Sequence, residues 1–154
     1  MVDWTETNRG VVFPWQCDHY GHLNVRYYTH FFDDAGFQIW SLIGLTLKEI
    51  LDHSVHPVVA EIKVSFLQEL KAGSLIIVKG GFTRVGTKSI GHRQLMYNVD
   101  TGVLCATQDT VEVFFDPKTR TSAEIPDDIR KNLARHEWPT RIESEETLRV
   151  FSGP

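Results

Sequence analysis

The sequence of 154 residues is poor in cysteine, and its two cysteines, Cys17 and Cys105, lie far apart along the chain. Two isolated cysteines cannot build a disulfide framework and show no metal-ligand spacing, so no metal site is expected. A reducing, cytoplasmic location is the simplest expectation. The N-terminus is acidic and lacks the basic and apolar regions of a signal peptide. No apolar run approaches the roughly 20 residues that a membrane-spanning helix needs.

Basic residues are also few, with 16 Lys and Arg against 20 Asp and Glu and a formal net charge of -4. Nucleic-acid binding needs a basic stripe that neutralises phosphates, so this class of partner is not expected. A hydrophobic fraction of 42% and a charged fraction of 23% are typical of globular proteins. We find no internal repeat and no linker, which predicts a single domain over residues 1–154. Residues 138–154 lack periodicity and are predicted to form a mobile or partner-packed tail.

One segment has the periodicity of a long helix, and several others have that of strands. In residues 24–43 apolar positions recur every three or four residues, with Asn24 as a suitable N-cap and Gly44 as a C-terminal glycine. The pattern Thr-Leu-Lys-Glu at 46–49 is typical of a capping box and predicts a short second helix through Leu51. The predicted strands are Arg9–Trp15, a segment containing Ala60, Ile62, Val64 and Phe66, Leu75–Val85, Ser89–Val99 and Val103–Phe115, and Pro126 is predicted to begin a further helix.

This order of elements predicts an α+β fold. A long helix that is apolar around much of its circumference needs a curved sheet to wrap it, and the five strands can provide that sheet. The turns between the last four strands predict consecutive antiparallel hairpins arranged as a meander. The adjacent Gly80 and Gly81 suggest a bulge or a sharp curl in the third strand.

Asp18 stands in a polar loop just before the N-terminus of the long helix. Unpaired backbone N–H groups and the helix dipole favour negative charge there, so the terminus can stabilise an oxyanion that develops at a carbonyl. A carboxylate beside it can act as a nucleophile or as a general base for water. The alternative is that Asp18 closes an Asx-turn and has no catalytic role.

The residues around this loop form a recognisable pattern. Residues 15–28, Trp-Gln-Cys-Asp-His-Tyr-Gly-His-Leu-Asn-Val-Arg-Tyr-Tyr, are followed by Phe-Phe-Asp-Asp-Ala at 31–35. This segment resembles the signature of the 4-hydroxybenzoyl-CoA thioesterase family, in which an Asp-x-x-Gly loop leads into a helix with an acidic pair. It is similar to bacterial acyl-CoA thioesterases, including a domain associated with carnitine and betaine metabolism. The later strands match the family only in order and length.

The resemblance implies a hotdog fold, in which a long central helix is wrapped by a curved antiparallel β-sheet. It also implies a homodimer or homotetramer with active sites at the interface, an acyl-CoA substrate and no separate cofactor. Asp18 matches the family's loop aspartate and is implied as nucleophile or general base. Val25 stands where the family offers a backbone N–H to the thioester oxygen. His22, Asn24 and Asp33 are expected to shape the loop or to lie near the substrate.

Several other charged residues are possible contributors. Lys71, Lys88 and Arg93 lie in the sheet region and are candidates for holding the phosphates of CoA, although each is equally explained as a solvated surface charge. Asp34 is expected to be either a polar group that orients the site or a charge on the exposed helix face. Glu61 is expected to line a partner's pocket or to be a solvated strand residue.

Other mechanisms and functions stay open at this point. A hotdog hydratase or dehydratase needs a histidine with an acidic partner, and His19 or His22 with Asp18 could imitate that pair. The order of the loop residues fits the thioesterases better. A hotdog domain can also bind an acyl-CoA without turning it over, because function depends on the site and not on the fold. Cys17 beside Asp18 suggests a thiol nucleophile, but adjacent loop residues rarely point together and no third group orients them.

Overall fold

A long helix and a six-stranded antiparallel sheet form most of the structure. The computed structural model describes residues 4–136. The strands are β1 (Thr5–Val11), β2 (His56–Phe66), β3 (Leu75–Val85), β4 (Ser89–Asn98), β5 (Leu104–Asp116) and β6 (Thr121–Ser122), and the helices are α1 (Val25–Leu42), α2 (Leu47–Leu51) and α3 (Asp127–Ala134). Within residues 4–136 no helix is long and apolar enough to cross a membrane.

Helix α1 is confirmed to within one residue at each end. Asn24 is its N-cap, and the side-chain oxygen of Asn24 accepts a hydrogen bond from the Arg26 N–H at 3.2 Å. Gly44 follows the helix with a φ of +77°, a left-handed conformation that glycine adopts without strain. Burial of its apolar face against the sheet stabilises the helix, and that face consists of Tyr28, Phe31, Phe32, Ala35, Ile39 and Trp40.

The two short helices are also confirmed. Helix α2 has the predicted capping box, in which the side chains of Thr46 and Glu49 each accept a hydrogen bond from the other's backbone N–H. Helix α3 begins directly after Pro126, with two aspartates in its first turn. The predicted tail, residues 138–154, lies outside the described residues.

The first strand lies earlier in the chain than predicted, over Thr5–Val11 rather than residues 9–15. A 3₁₀ turn (Pro14–Gln16) takes up the rest of the predicted segment. In this turn the Phe13 N–H donates to the side-chain oxygen of Gln16 at 2.8 Å, and the Gln16 N–H donates to the Phe13 carbonyl at 3.0 Å. The local turn therefore provides hydrogen bonds that a strand would otherwise have made.

The strand order is β1-β3-β4-β5-β2, with β6 paired to the end of β5. The hairpins from β3 to β5 are confirmed, but the predicted meander of four strands is wrong because β2 pairs with β5 and β1 pairs with β3. Residues 67–74 explain the difference, since they are too many for a tight hairpin and bond elsewhere. The Leu67 N–H donates to the Cys105 carbonyl at 2.8 Å, and the Leu70 carbonyl accepts from the Leu23 N–H at 2.7 Å. Strand β2 therefore lies at an edge of the sheet.

Bulges change which side chains of β2 and β3 face the helix. The register of β2 shifts between Val59 and Glu61, so Ala60 is the extra residue, and Val59, which pairs with Glu112, faces the helix. In β3 the shift falls between Phe82 and Arg84, after the glycine pair rather than at it.

The core consists of two apolar clusters separated by a polar band. The cluster under the first half of α1 includes Tyr28, Phe32, Ile76, Val78, Met96 and Ala106, and the cluster under the second half includes Ile39, Trp40, Phe82, Ile90, Phe114 and Ile129. Between them, β4 and β5 place buried polar side chains beneath the helix. We call His92, Gln94, Gln108, Thr110 and Glu112 the polar band.

Candidate functional site

The loop that precedes α1 is closed by backbone hydrogen bonds around Asp18. The Asp18 N–H donates to the His22 carbonyl, and the Asp18 carbonyl accepts from the Gly21 N–H, both at 2.9 Å. Oδ1 of Asp18 accepts the Tyr20 N–H at 2.9 Å, which is an Asx-turn. Oδ2 has no hydrogen-bond partner among residues 4–136. The turn therefore uses one carboxylate oxygen and leaves the other unpaired.

The start of α1 lies beside this loop. Cys17 forms an antiparallel bridge with Leu23, and the Asn24 N–H donates to the Gln16 carbonyl at 2.9 Å. These contacts form a short antiparallel ladder in which Gln16 is bonded to Asn24. Asp18 is two residues from Gln16, which is about 7 Å along an extended strand. The Val25 N–H, the first of the helix, has no partner within the part of the chain that the structure describes. An unpaired carboxylate oxygen and an unpaired helix N–H thus occur at the same end of α1.

A second group of polar side chains comes from the connection between β2 and β3. Nε2 of His22 lies 2.9 Å from Oε2 of Glu69, and Nζ of Lys71 lies 3.3 Å from Oε1 of the same carboxylate. Behind them, burial raises the pKa of Tyr28 to about 12, with smaller contributions from the nearby charges of Cys105, Glu69 and Asp18. The Tyr28 phenol is therefore a neutral group in the wall behind the loop.

Helix α1 and the edge strand β2 form the two walls of an open groove that begins at this loop. At the loop end the rings of Tyr28 and Phe66 pack edge to face with their centroids 5.1 Å apart. At the other end Pro57 and Trp40 line a common cavity. Apolar side chains along the groove are exposed, with 68%, 53%, 43% and 46% of the surface accessible for Phe37, Val59, Ile62 and Phe66. Such a surface on a free strand edge is typical of an interaction or ligand site.

The groove leads into a cavity of about 220 Å³ beside Gly36 of α1. Its apolar lining includes Phe32, Phe37, Trp40, Leu47, Val59 and Ile62. Four members of the polar band, His92, Gln108, Thr110 and Glu112, also line it, and Asp33 adds a carboxylate from the helix. Nε2 of His92 lies 3.0 Å from Oε1 of Glu112, and the Gln108 amide N–H donates to Oγ1 of Thr110 at 3.1 Å.

Most of the residues singled out in the sequence lie at this site. Asp18, His22, Asn24 and Val25 share the loop and the helix start, and Lys71 is joined to His22 by a β-bridge. Asp33 lies about two turns further along α1, at the cavity.

Other candidates lie elsewhere. Arg93 is on the opposite face of the sheet from the helix, where its guanidinium makes two hydrogen bonds of 2.6 Å to the carboxylate of Asp109. Lys88 is exposed in the turn between β3 and β4, which is joined to the segment before α3 by the hydrogen bond from the Ile125 N–H to the Thr87 carbonyl.

The other loop residues have their own contacts. The Cys17 thiol donates to the Phe13 carbonyl at 3.7 Å, and the His19 ring packs on Tyr20. Across residues 4–136 no hydrogen bond or ion pair links the carboxylate of Asp18 to the imidazole ring of either His19 or His22. Asp34 is exposed beside His30, and Glu61 is exposed on β2.

Sequence reasoning missed Glu69 and the role of the polar band. Glu69 reaches His22 only through the tertiary structure, so no local pattern indicates it. The polar band did leave a signal, because polar residues alternate at 92 and 94 and again at 108, 110 and 112 in the two central strands. Alternation of polar residues on the buried face of central strands is typical of a functional site rather than of a core.

A model of the thioesterase-like superfamily matches residues 12–133. The chain belongs to this superfamily. The match spans the loop, the long helix and all strands after β1, and it confirms the hotdog fold that the resemblance implied. Among curated protein sequences, none matches this chain significantly.

Solved structures show the same fold at low sequence identity. A hypothetical protein from Staphylococcus aureus, solved in complex with CoA, has a TM-score of 0.81 at 21% identity, covering 97% of this chain and 95% of that one. A 1,4-dihydroxy-2-naphthoyl-CoA thioesterase from Synechocystis has a TM-score of 0.73 at 15% identity, with coverages of 84% and 97%. A probable thioesterase from Escherichia coli has a TM-score of 0.71 at 20% identity, with coverages of 82% and 94%.

Proposed function

We propose that this chain is an acyl-CoA thioesterase, which hydrolyses a CoA thioester to a free acid and CoA. The superfamily and the CoA bound to the Staphylococcus aureus protein support a substrate of this class. The observation that carries the proposal is that the unpaired Oδ2 of Asp18 and the unpaired Val25 N–H occur at the same end of α1. One group can act on a carbonyl carbon while the other holds the oxygen of the same carbonyl.

The Val25 N–H donates a hydrogen bond to the thioester oxygen. Negative charge develops on that oxygen as the carbon becomes tetrahedral, and the positive end of the helix dipole stabilises it. Asp18 acts through Oδ2 in one of two ways. It attacks the carbon, so that the C–S bond breaks and water later hydrolyses the mixed anhydride, or it takes a proton from a water that attacks directly. Oδ1 keeps its place in the Asx-turn in both cases.

A second copy of the chain is the proposed cover for the groove. Strand β2 has 11 residues and is paired along one edge only within residues 4–136, and its helix-facing apolar side chains are exposed. Pairing of β2 with β2 of a partner across a two-fold axis would satisfy both the free backbone groups and the exposed apolar surface. This arrangement places the Asp18 loop and the groove near the subunit interface.

Lys71 is the proposed contact for a CoA phosphate, because it adjoins the loop through its bridge to His22 and is exposed. Its ion pair with Glu69 has an N–O distance of 3.3 Å, and an exposed pair of this kind is weak and can exchange for a phosphate. The proposed roles of Lys88 and Arg93 at the phosphates rest on the sequence alone.

The test is hydrolysis of a panel of acyl-CoA thioesters, followed by release of the CoA thiol, in the wild type and in Asp18→Asn. Asparagine preserves the acceptor of the Asx-turn and removes the nucleophile or base, so we expect kcat to fall by about 10²–10⁴-fold with little change in stability. A stable acyl adduct on the Asp18 peptide, detected by mass spectrometry after a quenched single turnover, would identify the nucleophilic route.

Asp116→Asn is the matched control. Asp116 also forms an Asx-turn, accepting the Lys118 N–H at 2.8 Å, but it is the last residue of β5 and lies away from the start of α1. We expect this variant to keep full activity. If Asp18→Asn and Asp116→Asn are equally active, Asp18 is only a turn residue. If acyl-CoA binds but is not hydrolysed by the wild type, the chain is a binding protein.

A further inference from the structure

Gly36 stands in the interior of α1 between two large aromatic residues. Phe32 lies one turn before it and Trp40 one turn after it on the same face of the helix, and both rings are buried. All three residues line the cavity beside α1. The missing side chain therefore leaves a gap between the two rings in the helix wall of the cavity.

Neither the backbone nor the packing of α1 requires a glycine at this position. Within residues 4–136 a positive φ occurs at other glycines, so the helical backbone at Gly36 suits any residue. The nearest atom to a Cβ built at Gly36 would be Nε2 of Gln94, at 3.9 Å, whereas a Cβ at Gly80 of β3 would lie 3.3 Å from Cγ of the same glutamine. Because glycine destabilises a helix interior relative to alanine, its presence here points to a ligand that uses the space.

The wall around this gap is apolar and accessible. Five apolar residues that line the cavity each have between 43% and 68% of their surface exposed, and they are Phe37, Leu47, Leu51, Val59 and Ile62. Exposed apolar side chains gathered around one cavity are typical of a site for an apolar ligand. A cavity of roughly 150 Å³ holds a benzene molecule, so by the same proportion this one of about 220 Å³ has room for about nine carbon atoms.

We propose that Gly36 determines the acyl specificity of this site, because its missing side chain admits the end of a long, uncharged acyl chain into the cavity. This inference rests on the proposed thioesterase function and names its substrate class. The thioester carbonyl lies at the Val25 N–H, and the chain follows the groove between α1 and β2. Its end packs beside Gly36, in the gap between Phe32 and Trp40. Each methylene group that leaves water there tightens binding by about 4-fold.

The position of the gap along α1 sets the length of the chain. Phe32 lies seven positions after Val25 and Gly36 lies eleven, which is about 10 Å and about 16 Å along the helix axis. An extended carbon chain advances about 1.25 Å per single bond, so it reaches the cavity after about eight bonds and passes Gly36 after about thirteen. The expected substrate therefore has an unbranched chain of about 14 carbons, and a chain of about six carbons stays outside the cavity.

The experiment measures binding separately from hydrolysis. It uses CoA analogues in which a methylene group replaces the thioester sulfur, so that the carbonyl remains but cannot be hydrolysed. Calorimetry on the full chain compares the hexanoyl and tetradecanoyl analogues, each below the concentration at which it forms micelles. The tetradecanoyl analogue should bind the wild type at least about 100-fold more tightly than the hexanoyl analogue.

Two substitutions at Gly36 test its role. Gly36→Ala should weaken binding of the tetradecanoyl analogue by about 4-fold or more, and Gly36→Leu by about 100-fold, because the added carbons displace methylene groups from the cavity. Both variants should bind the hexanoyl analogue as the wild type does. Gln38→Leu places the same side chain on the exposed surface of α1 and should change neither affinity. Gly36→Ala decides the question if the leucine variant does not fold, since the methyl group has space.

Equal affinity of the wild type for the two analogues overturns the proposal whether or not the variants fold. A folded Gly36→Ala protein that keeps full affinity for the long analogue also overturns it. Equal weakening of both analogues does the same, because Gly36 would then support the site without selecting a chain. If the long analogue loses affinity as expected but no CoA thioester is hydrolysed, the acyl site stands and the thioesterase proposal fails. Hydrolysis of short and long thioesters with equal kcat/KM, unchanged in Gly36→Ala, gives the opposite result.

Discussion

Gly36 lies in the interior of α1, where glycine is about 0.8–1 kcal/mol less favourable than alanine. A Cβ atom at this position meets nothing nearer than Nε2 of Gln94 at 3.9 Å, which is an ordinary van der Waals distance. We therefore expect Gly36→Ala to raise the free energy of unfolding by about 0.5–1 kcal/mol and Tm by about 1–4 °C. The same methyl group narrows the cavity, so binding of a long acyl analogue should weaken while the protein becomes more stable.

Gly10→Ala provides the contrasting control. A Cβ atom at Gly10 of β1 would lie 2.6 Å from Cε1 of the buried Phe31, so the ring or the strand must move. Overpacking of this kind costs about 1–3 kcal/mol, and we expect a lower Tm. Thermal unfolding followed by circular dichroism gives both values. A Gly36→Ala protein that is less stable than the wild type would refute the view that this glycine leaves usable space.

Three further predictions concern Tyr28, the groove and Arg93. The pKa of Tyr28 is raised from 10.0 to about 12, so its contribution to stability is complete below pH 10 and is lost as pH rises from 10 to 12; Tyr28→Phe should make this decline shallower, and equal declines would contradict the assignment. Phe37→Lys places a charge on the exposed groove and should shift sedimentation toward the monomer, whereas Gln38→Lys should not; the idea fails if both behave alike. Arg93→Met breaks the pair with Asp109 and should cost about 1 kcal/mol in urea unfolding without changing KM, and a KM rise of about 10-fold would instead place Arg93 at the CoA phosphates.

Features that depend on neighbouring residues were predicted well from the sequence. The bounds of α1 follow from its apolar spacing, from Asn24 as an N-cap and from Gly44 with its positive φ. The capping box of α2 and the hairpins from β3 to β5 are local for the same reason. The position of β2 was not predictable in this way, because its partner β5 comes about 50 residues later and the choice depends on where residues 67–74 bond.

In the candidate site, too, features formed by residues close in sequence were predictable, and features formed by distant segments were not. Asp18 and Val25 are close in sequence, and their positions relative to the helix start could be inferred from the loop and the N-cap. The contact between His22 and Glu69 joins segments that are distant in the chain, and the cavity needs α1, β2, β4 and β5 together. Local patterns carry no information on such combinations, so the cavity appeared only with the structure.

The hydrogen bond from Leu23 to Leu70 makes the edge strand and the Asp18 loop a single mechanical unit. The Leu67 N–H, just after β2, donates a hydrogen bond to β5. Three residues later, the Leu70 carbonyl accepts a hydrogen bond from Leu23, which directly precedes the N-cap of α1. A displacement of the edge strand is therefore expected to displace the Asp18 loop as well. In the proposed dimer a partner bound along β2 would stiffen the support of Asp18, and a separated copy would lose that support although Asp18 and Val25 belong to the same chain. Turnover per chain should accordingly fall on dilution below the dissociation constant of the assembly.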